Sequence, residues 1–202
     1  MFSPISSPRS RFQPGTLSPL PKGTSIRVLQ PSDVASCVSI YKANEPGFPC
    51  CGYIGDFERT LAQADYLKLV CCVDETPVAV GGIGILSRWT SPTETWLVFG
   101  MVSRQIQRHG IGTAMMLARV SLLERLPKPV RLVLSTTGRS QTFTARFGFV
   151  HVGRRPAGSR RQLFDISAAY LDAEDLKVCR DLVGGAGIMR GKFPAVPHIR
   201  GF

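Results

Sequence analysis

The sequence has few acidic residues and no long apolar run. Its 202 residues include 14 Asp and Glu against 25 Lys and Arg, which gives a net charge of +11 at neutral pH. No segment approaches the roughly 18 consecutive apolar residues that a membrane-spanning helix needs, so we expect no membrane span and no membrane partner. Because 44% of the residues are hydrophobic and only 19% are charged, the chain can bury a core. This composition excludes a mainly disordered protein.

The cysteines lack the spacing of a metal site, since no C-x-x-C pair occurs among Cys37, Cys50, Cys51, Cys71, Cys72 and Cys179. Zinc-ribbon spacing is therefore absent, and we expect no metal. Adjacent cysteines on a strand point to opposite faces, so Cys71 and Cys72 are not expected to share a disulfide. We predict reduced, structural cysteines and a reducing compartment, with the cytoplasm as the expected location.

The two ends of the chain differ in composition from its middle. Residues 1–32 contain six prolines and seven serines but no acid, which predicts a flexible basic N-terminal arm over residues 1–24. Residues 184–202 contain five glycines and two prolines and also lack acids, which is typical of an extension without its own core. Between these ends, residues 25–183 are expected to form one domain.

The apolar pattern of the middle region predicts alternating strands and helices, and hence a mixed α/β fold. We predict strands over 26–29, 67–73, 77–86, 95–102, 130–135, 149–154 and 162–166, and helices over 34–43, 56–64, 111–123, 140–147 and 170–182. The third of these helices is clearly amphipathic, because one face carries Ile111, Ala114, Met115, Ala118 and Leu122.

A basic loop with two glycines joins the strand over 95–102 to the amphipathic helix, and its last residues are Gln107, Arg108, His109, Gly110, Ile111, Gly112 and Thr113. The first N–H groups of a helix have no internal partner, and the helix dipole places partial positive charge at that end. An anion is therefore favoured there, and glycine lets the backbone approach a phosphate closely. Arg108 and His109 add charge or hydrogen-bond donors, so the loop indicates a diphosphate site.

Other interpretations of this loop are weaker or less specific. A P-loop requires a lysine directly after its last glycine, and Thr113 stands there. The dinucleotide-binding fingerprint requires a third glycine at the position of Met115. A tight strand-to-helix turn that binds nothing remains open at this point.

The segment from Gln107 to Gly112, QRHGIG, resembles the [QR]-x-x-G-x-[GA] signature of the GCN5-related N-acetyltransferases. The preceding strand and the amphipathic helix are similar too, and Gly148-Phe149 resembles the turn that ends a later helix in this family. The resemblance covers about residues 25–166. It implies a mostly antiparallel sheet that splays after the signature strand and holds acetyl-CoA, or another short acyl-CoA, in the opening.

The resemblance also implies roles for individual residues in binding CoA. The pyrophosphate would lie on the backbone N–H groups of residues 108–113, beside Gln107. The pantetheine would pair with the backbone of Met101, Val102 and Ser103, and an N–H near Met101 would polarise the acetyl carbonyl. Thr137 and Ser140, which replace the family's usual Asn and Ala, would contact CoA through their hydroxyls.

Acetyl transfer would need a neutral amine and a route for its proton. Glu94 is the candidate general base, but the family's glutamate corresponds by spacing to Trp96. Thr144 is the candidate acid, because it stands where the family often carries a tyrosine that protonates the departing thiolate.

The resemblance thus implies an N-acetyltransferase that acts on the primary amine of a small molecule or peptide by direct attack on the thioester. The alternative is a non-catalytic acyl-CoA-binding sensor or regulatory module. Residues 88–161 hold 13 basic and two acidic side chains, so the surplus charge maps onto the stretch expected to bind the anionic CoA. Nucleic-acid binding has no motif behind it, and a homodimer stays open.

Overall fold

The computed structural model describes residues 12–44, 54–87, 92–136, 138–157 and 160–199. Within these ranges the α-helices and strands are, in chain order, β1 (Thr24–Val28), α1 (Val34–Asn44), α2 (Ile54–Ala62), β2 (Leu67–Val73), β3 (Thr76–Ser87), β4 (Thr93–Val102), α3 (Ile111–Ser121), β5 (Val130–Thr136), α4 (Gly138–Ala145), β6 (Val150–Ala157), β7 (Arg160–Leu171) and α5 (Ala173–Gly185). None of the described helices combines the length and the hydropathy needed to cross a membrane.

The strands form one seven-stranded sheet in the order β1-β2-β3-β4-β5-β7-β6. Neighbouring strands are antiparallel except β4 and β5, which are parallel. The predicted mixed α/β fold with a mostly antiparallel sheet is confirmed.

The sheet opens between its two parallel strands. They pair from Thr93 and Val130 to Leu97 and Leu134. Beyond that point β4 continues to Val102, while β5 stays paired with β7 as far as Thr136. The second half of β4 therefore has no β5 partner, which confirms the predicted splay.

Helices cover both faces of the sheet. Successive residues of β2 alternate between two apolar clusters, as the strand geometry requires. Leu69 and Cys71 pack in the cluster that contains α3 and α5, whereas Val70 and Cys72 pack with Tyr41 of α1 and Phe57 of α2. The predicted signature loop thus leads into the helix that fills one face.

The described part of the N-terminal arm is packed against the domain. Phe12 is 1% exposed, and its ring lies 5.8 Å from that of Phe147 and 6.3 Å from that of Phe149. The backbone N–H of Phe12 donates to the Tyr170 carbonyl. Residues 12–24 of the predicted arm thus lie against the domain, anchored by one buried aromatic ring in a segment whose composition is poor in apolar residues. Residues 1–11 lie outside the described residues.

The C-terminal segment also lies on the domain. Ile188 and Val196 are buried, and the N–H of Ile26 in β1 donates to the Ile188 carbonyl at 2.6 Å. Further along, Ile85 of β3 donates its N–H to Pro197 and accepts from Ile199, each at 2.8 Å. The described part of the predicted extension, residues 184–199, thus packs its buried side chains against the domain.

Candidate functional site

The N-terminus of α3 has the features of an anion site. Its N-cap is Gly110, with φ of +78°, a left-handed conformation that glycine adopts without strain. The first intrahelical bond is donated by Ala114 to the Gly110 carbonyl. The N–H groups of Ile111, Gly112 and Thr113 precede that bond and have no helical acceptor.

The preceding loop adds positive charge beside these N–H groups. Arg108 is exposed and has a φ of +67°. His109 is exposed as well, and its Nδ1 lies 2.9 Å from the Gln107 carbonyl. The first turn of α3, Ile111 to Ala114, contains no acidic residue, so the residues present fit a diphosphate.

Gln107 joins the loop to α1 and β4 through Asn44, a residue that sequence analysis did not single out. The Asn44 Nδ2 donates to the Val102 carbonyl at 3.1 Å and to the Ile40 carbonyl at 2.9 Å. Gln107 Nε2 lies 3.1 Å from both Asn44 Oδ1 and the Val102 oxygen. Asn44 is only 2% exposed, so this amide network fixes the end of β4 and the start of the loop.

Two of the backbone groups predicted to pair with pantetheine are already engaged. The Val102 carbonyl accepts the two amide donors just described, and the Ser103 N–H donates to the Val78 carbonyl at 2.7 Å. The predicted strand-like pairing with a ligand cannot use these two groups as they stand, and Met101 lies opposite Val80 of β3.

A bulge in β4 lies where β5 diverges. Val98 pairs with Gly82 and Met101 with Val80, so Phe99 and Gly100 face one residue of β3. Phe99 has a φ of +49°, which is uncommon for a residue with a side chain. Bulges redirect backbone groups locally, and this one does so beside the opening.

Glu94 lies in the closed half of the β4–β5 pair rather than at the opening. Its Oε1 accepts from Trp96 Nε1 at 3.0 Å, and its Oε2 accepts from Arg131 Nη1 at 2.5 Å. The opening begins after Leu97, about 10 Å further along the strand. Glu94 and Trp96 do share a face, but Glu94 does not reach the opening directly.

The other candidate positions lie on or before α4. Thr144 is 5% exposed, and its hydroxyl lies 3.2 Å from the carbonyl of Ser140 and 3.1 Å from that of Gln141. The hydroxyl proton is thus used within the helix. Ser140 is half-buried, and Thr137 lies outside the described residues. Residues 45–53, between α1 and α2, lie outside them as well.

The described cysteines Cys37, Cys71, Cys72 and Cys179 are free and buried. Burial raises the pKa of Cys37, Cys71 and Cys179 to about 12. These thiols are therefore protonated at neutral pH and suited to packing rather than nucleophilic chemistry. In the part of the chain that the structure describes, no group of three or more His, Cys, Asp or Glu could hold a metal.

A sheet that opens between two parallel strands, beside a helix N-terminus with free N–H groups, is the arrangement that the sequence resemblance to the acetyltransferases implies. The sequence model of the acetyltransferase (GNAT) family matches residues 35–149, which is more than half of the chain. The chain belongs to the GNAT family of acetyltransferases. A comparison with curated protein sequences finds no significant match.

Solved structures share this fold at low sequence identity. The ribosomal-protein-S18-alanine N-acetyltransferase of Escherichia coli superposes with a TM-score of 0.56 and 20% identity, over 73% of this chain and 93% of that one. The aminoglycoside N(6')acetyltransferase of Legionella pneumophila gives a TM-score of 0.61 and 11% identity, over 77% and 95%. Arabidopsis thaliana NAA60 in complex with acetyl-CoA gives 0.55 and 15%, over 73% and 98%.

Proposed function

We propose that the protein is an acetyl-CoA-dependent N-acetyltransferase that acts on a primary amine. The observation that carries the proposal is the opening of the sheet between β4 and β5, directly beside the uncapped N-terminus of α3. An elongated ligand with a diphosphate at one end and a thioester at the other matches this combination.

The donor's diphosphate is held by the N–H groups of Ile111, Gly112 and Thr113, with Arg108 nearby. The pantetheine chain runs along the half of β4 that has no β5 partner. We place the acetyl carbonyl beside the redirected amides of the bulge, which would polarise it.

The chemistry requires no covalent enzyme intermediate. The neutral amine nitrogen attacks the thioester carbonyl carbon, a C–N bond forms, and the C–S bond breaks with its electron pair on sulfur. The surplus proton of the amine passes to solvent, and the departing thiolate takes a proton from solvent. As a general base, Glu94 would act through a water molecule, because its two carboxylate oxygens accept hydrogen bonds from Trp96 and Arg131. As a general acid, Thr144 would first have to break its hydrogen bonds to the carbonyls of the preceding helical turn.

These same contacts favour the second candidate, a non-catalytic acyl-CoA sensor. Both residues proposed for proton transfer are engaged within the protein. A sensor needs the binding cleft but no proton route, so only turnover separates the two functions.

The test follows release of the CoA thiol from acetyl-CoA with three kinds of amine: a peptide N-terminus, a lysine side chain and an aminosugar. The N-acetylated form of each amine is the matched control. We expect release with at least one free amine, at a rate that rises from pH 7 because the neutral fraction of the amine increases. The rise should continue to pH 9 for a lysine side chain, with a pKa of about 10, and level off above pH 8 for a peptide N-terminus, with a pKa of about 8. Binding of acetyl-CoA without release for any amine would favour the sensor.

A further inference from the structure

Arg119 is a buried cation on the otherwise apolar face of α3. It is 4% exposed and lies one helical turn after Met115, whose carbonyl accepts a hydrogen bond from Arg119 Nε at 3.1 Å. Its neighbours Leu117, Ala118 and Val120 are fully buried in the core. Arginine is rarely buried without a partner, so this position needs an explanation.

The guanidinium lies beneath the β4 bulge, in space left by two glycines. A Cβ at Gly81 would lie 3.1 Å from Nη1, and a Cβ at Gly100 would lie 3.3 Å from Nη2. Nη1 is 3.4 Å from the Gly82 oxygen and 3.5 Å from the Val98 oxygen. The cation therefore contacts both strands at the level where the bulge begins.

No carboxylate compensates this charge within the described ranges. Burial lowers the pKa of Arg119 to about 10, and desolvation is the cause. The group therefore remains charged at neutral pH, with carbonyl dipoles as its neighbours. A buried cation whose only neighbours are carbonyl dipoles keeps a net positive potential around it, and that potential stabilises negative charge that develops nearby.

The contact with Val98 connects Arg119 to the proposed reaction centre. In a trans peptide the C=O and the following N–H point in opposite directions. A cation on the Val98 carbonyl therefore lies on the far side of the peptide from the Phe99 N–H. Because hydrogen bonds through one peptide polarise each other, the cation makes that N–H a stronger donor.

We propose that Arg119 is a positioning residue for acetyl transfer, holding and polarising the β4 bulge so that its amides stabilise negative charge on the thioester carbonyl oxygen. This inference rests on the proposed function, since it assigns the bulge to the acetyl group. Arg119 acts through the backbone of β4 and does not itself touch the substrate.

The test compares Arg119→Met, Arg119→Lys and the control Arg125→Met, which removes an exposed arginine just beyond α3. Thermal unfolding and titration with CoA report on folding and on the diphosphate site. Two readouts report on the bulge: kcat for thiol release, and the infrared stretching frequency of the acetyl carbonyl in bound acetyl-CoA. A polarised carbonyl absorbs at a lower frequency.

We expect Arg119→Met to fold with an undiminished Tm, because replacing a buried charge that has no carboxylate partner by an apolar group removes its desolvation cost. It should bind CoA as the wild type does, lose about a hundredfold in kcat with little change in KM, and show a smaller carbonyl shift. Arg119→Lys should restore much of kcat at pH 7. Its rate relative to the wild type should then fall as the pH rises, because a buried lysine loses its proton more readily.

An Arg119→Met variant with wild-type kcat and carbonyl frequency would overturn the proposal, and so would a loss of kcat that merely follows loss of folding or of CoA binding. If the wild type binds acetyl-CoA but transfers to no amine, the proposed function fails while the infrared comparison still decides the role of Arg119. If the wild type does not bind acetyl-CoA, both proposals fail.

Discussion

Asp33 shows how one side chain joins β1 to α1. It is 4% exposed and accepts from Arg27 Nη1 at 2.6 Å and Nη2 at 2.9 Å. Its Oδ2 also accepts from the Gln30 N–H at 2.7 Å. The hydrogen-bonded Arg27 guanidinium holds the pKa of this carboxyl below its ordinary value, so the ion pair stabilises the folded state.

Asp33→Asn should lower the free energy of unfolding by about 2 kcal/mol at pH 7, because it weakens a charge-assisted pair and its backbone bond. Since the folded-state pKa is lowered, the stabilisation is fully present above about pH 4 and is lost as the pH falls through that lowered value. Urea unfolding at pH 7 and pH 3 measures the difference, with Asp56→Asn, which weakens a solvent-exposed ion pair with Arg59, as the control. An equal loss at both pH values would contradict this account.

At the residue scale, sequence analysis could identify what is contiguous in the chain. The residues from Gln107 to Thr113 adjoin one another, and the chemistry of a helix N-terminus explains them locally. Asn44 and Arg119 belong to the site only because the fold brings distant segments together. The sequence did contain one indication of Arg119: it lies four and eight residues after Met115 and Ile111, and so places a charged side chain on the apolar face of the helix.

At the element scale, the closed half of the β4–β5 pair is tied by side chains as well as by backbone. Glu94 on β4 accepts hydrogen bonds from Arg131, which lies opposite it on β5, and from Trp96 on its own strand. The Glu94 and Arg131 side chains are 21% and 27% exposed. This pair ties the two strands together near the start of their pairing, about 10 Å from where they diverge.

Glu94→Gln should lower the free energy of unfolding by about 1 kcal/mol, because the bond to Arg131 loses its charge. It should reduce kcat by less than about tenfold, since the carboxylate does not reach the opening directly. Chemical unfolding and thiol-release kinetics check both values, with the exposed Glu58→Gln as the control. A much larger loss of kcat at unchanged stability would instead establish Glu94 as the general base.

The boundary between β7 and α5 shows why element ends are harder to predict than elements. The apolar pattern from Tyr170 to Leu182 fits a helix, but Tyr170 and Leu171 pair with β5 and belong to the strand. The helix starts at Ala173 because the Asp172 side chain accepts from the N–H groups of Glu174 and Asp175. The pairing of β7 with β5 therefore set the boundary between strand and helix, which the local apolar pattern could not locate.

At the scale of the whole molecule, the described parts of both terminal segments contribute to the domain. The arm reaches α3, since Leu20 Cδ2 would lie 3.1 Å from a Cβ at Gly110, and the C-terminal segment adds backbone bonds to β1 and β3. Composition alone could not predict this, because a few anchoring residues determine whether a proline-rich segment docks.

Phe12→Ala should lower the free energy of unfolding by about 3 kcal/mol, because it removes a fully buried ring that packs on Phe147 and Phe149. Urea denaturation measures the loss, and the adjacent exposed Gln13→Ala serves as the control. If the two variants have equal stability, the arm does not dock in solution as the structure shows.

The central claim is that the α3 N-terminus binds the diphosphate of acetyl-CoA, and isothermal titration of Thr113→Glu tests it most directly. A glutamate in the first turn interacts favourably with the helix dipole, so the fold should be preserved. Its negative charge, however, repels a bound diphosphate. The control, Val178→Glu, adds the same charge on the exposed side of α5. We predict that the wild type and Val178→Glu bind acetyl-CoA equally and that Thr113→Glu binds about tenfold more weakly or worse, with an undiminished Tm. Equal affinity in all three proteins would contradict the claim.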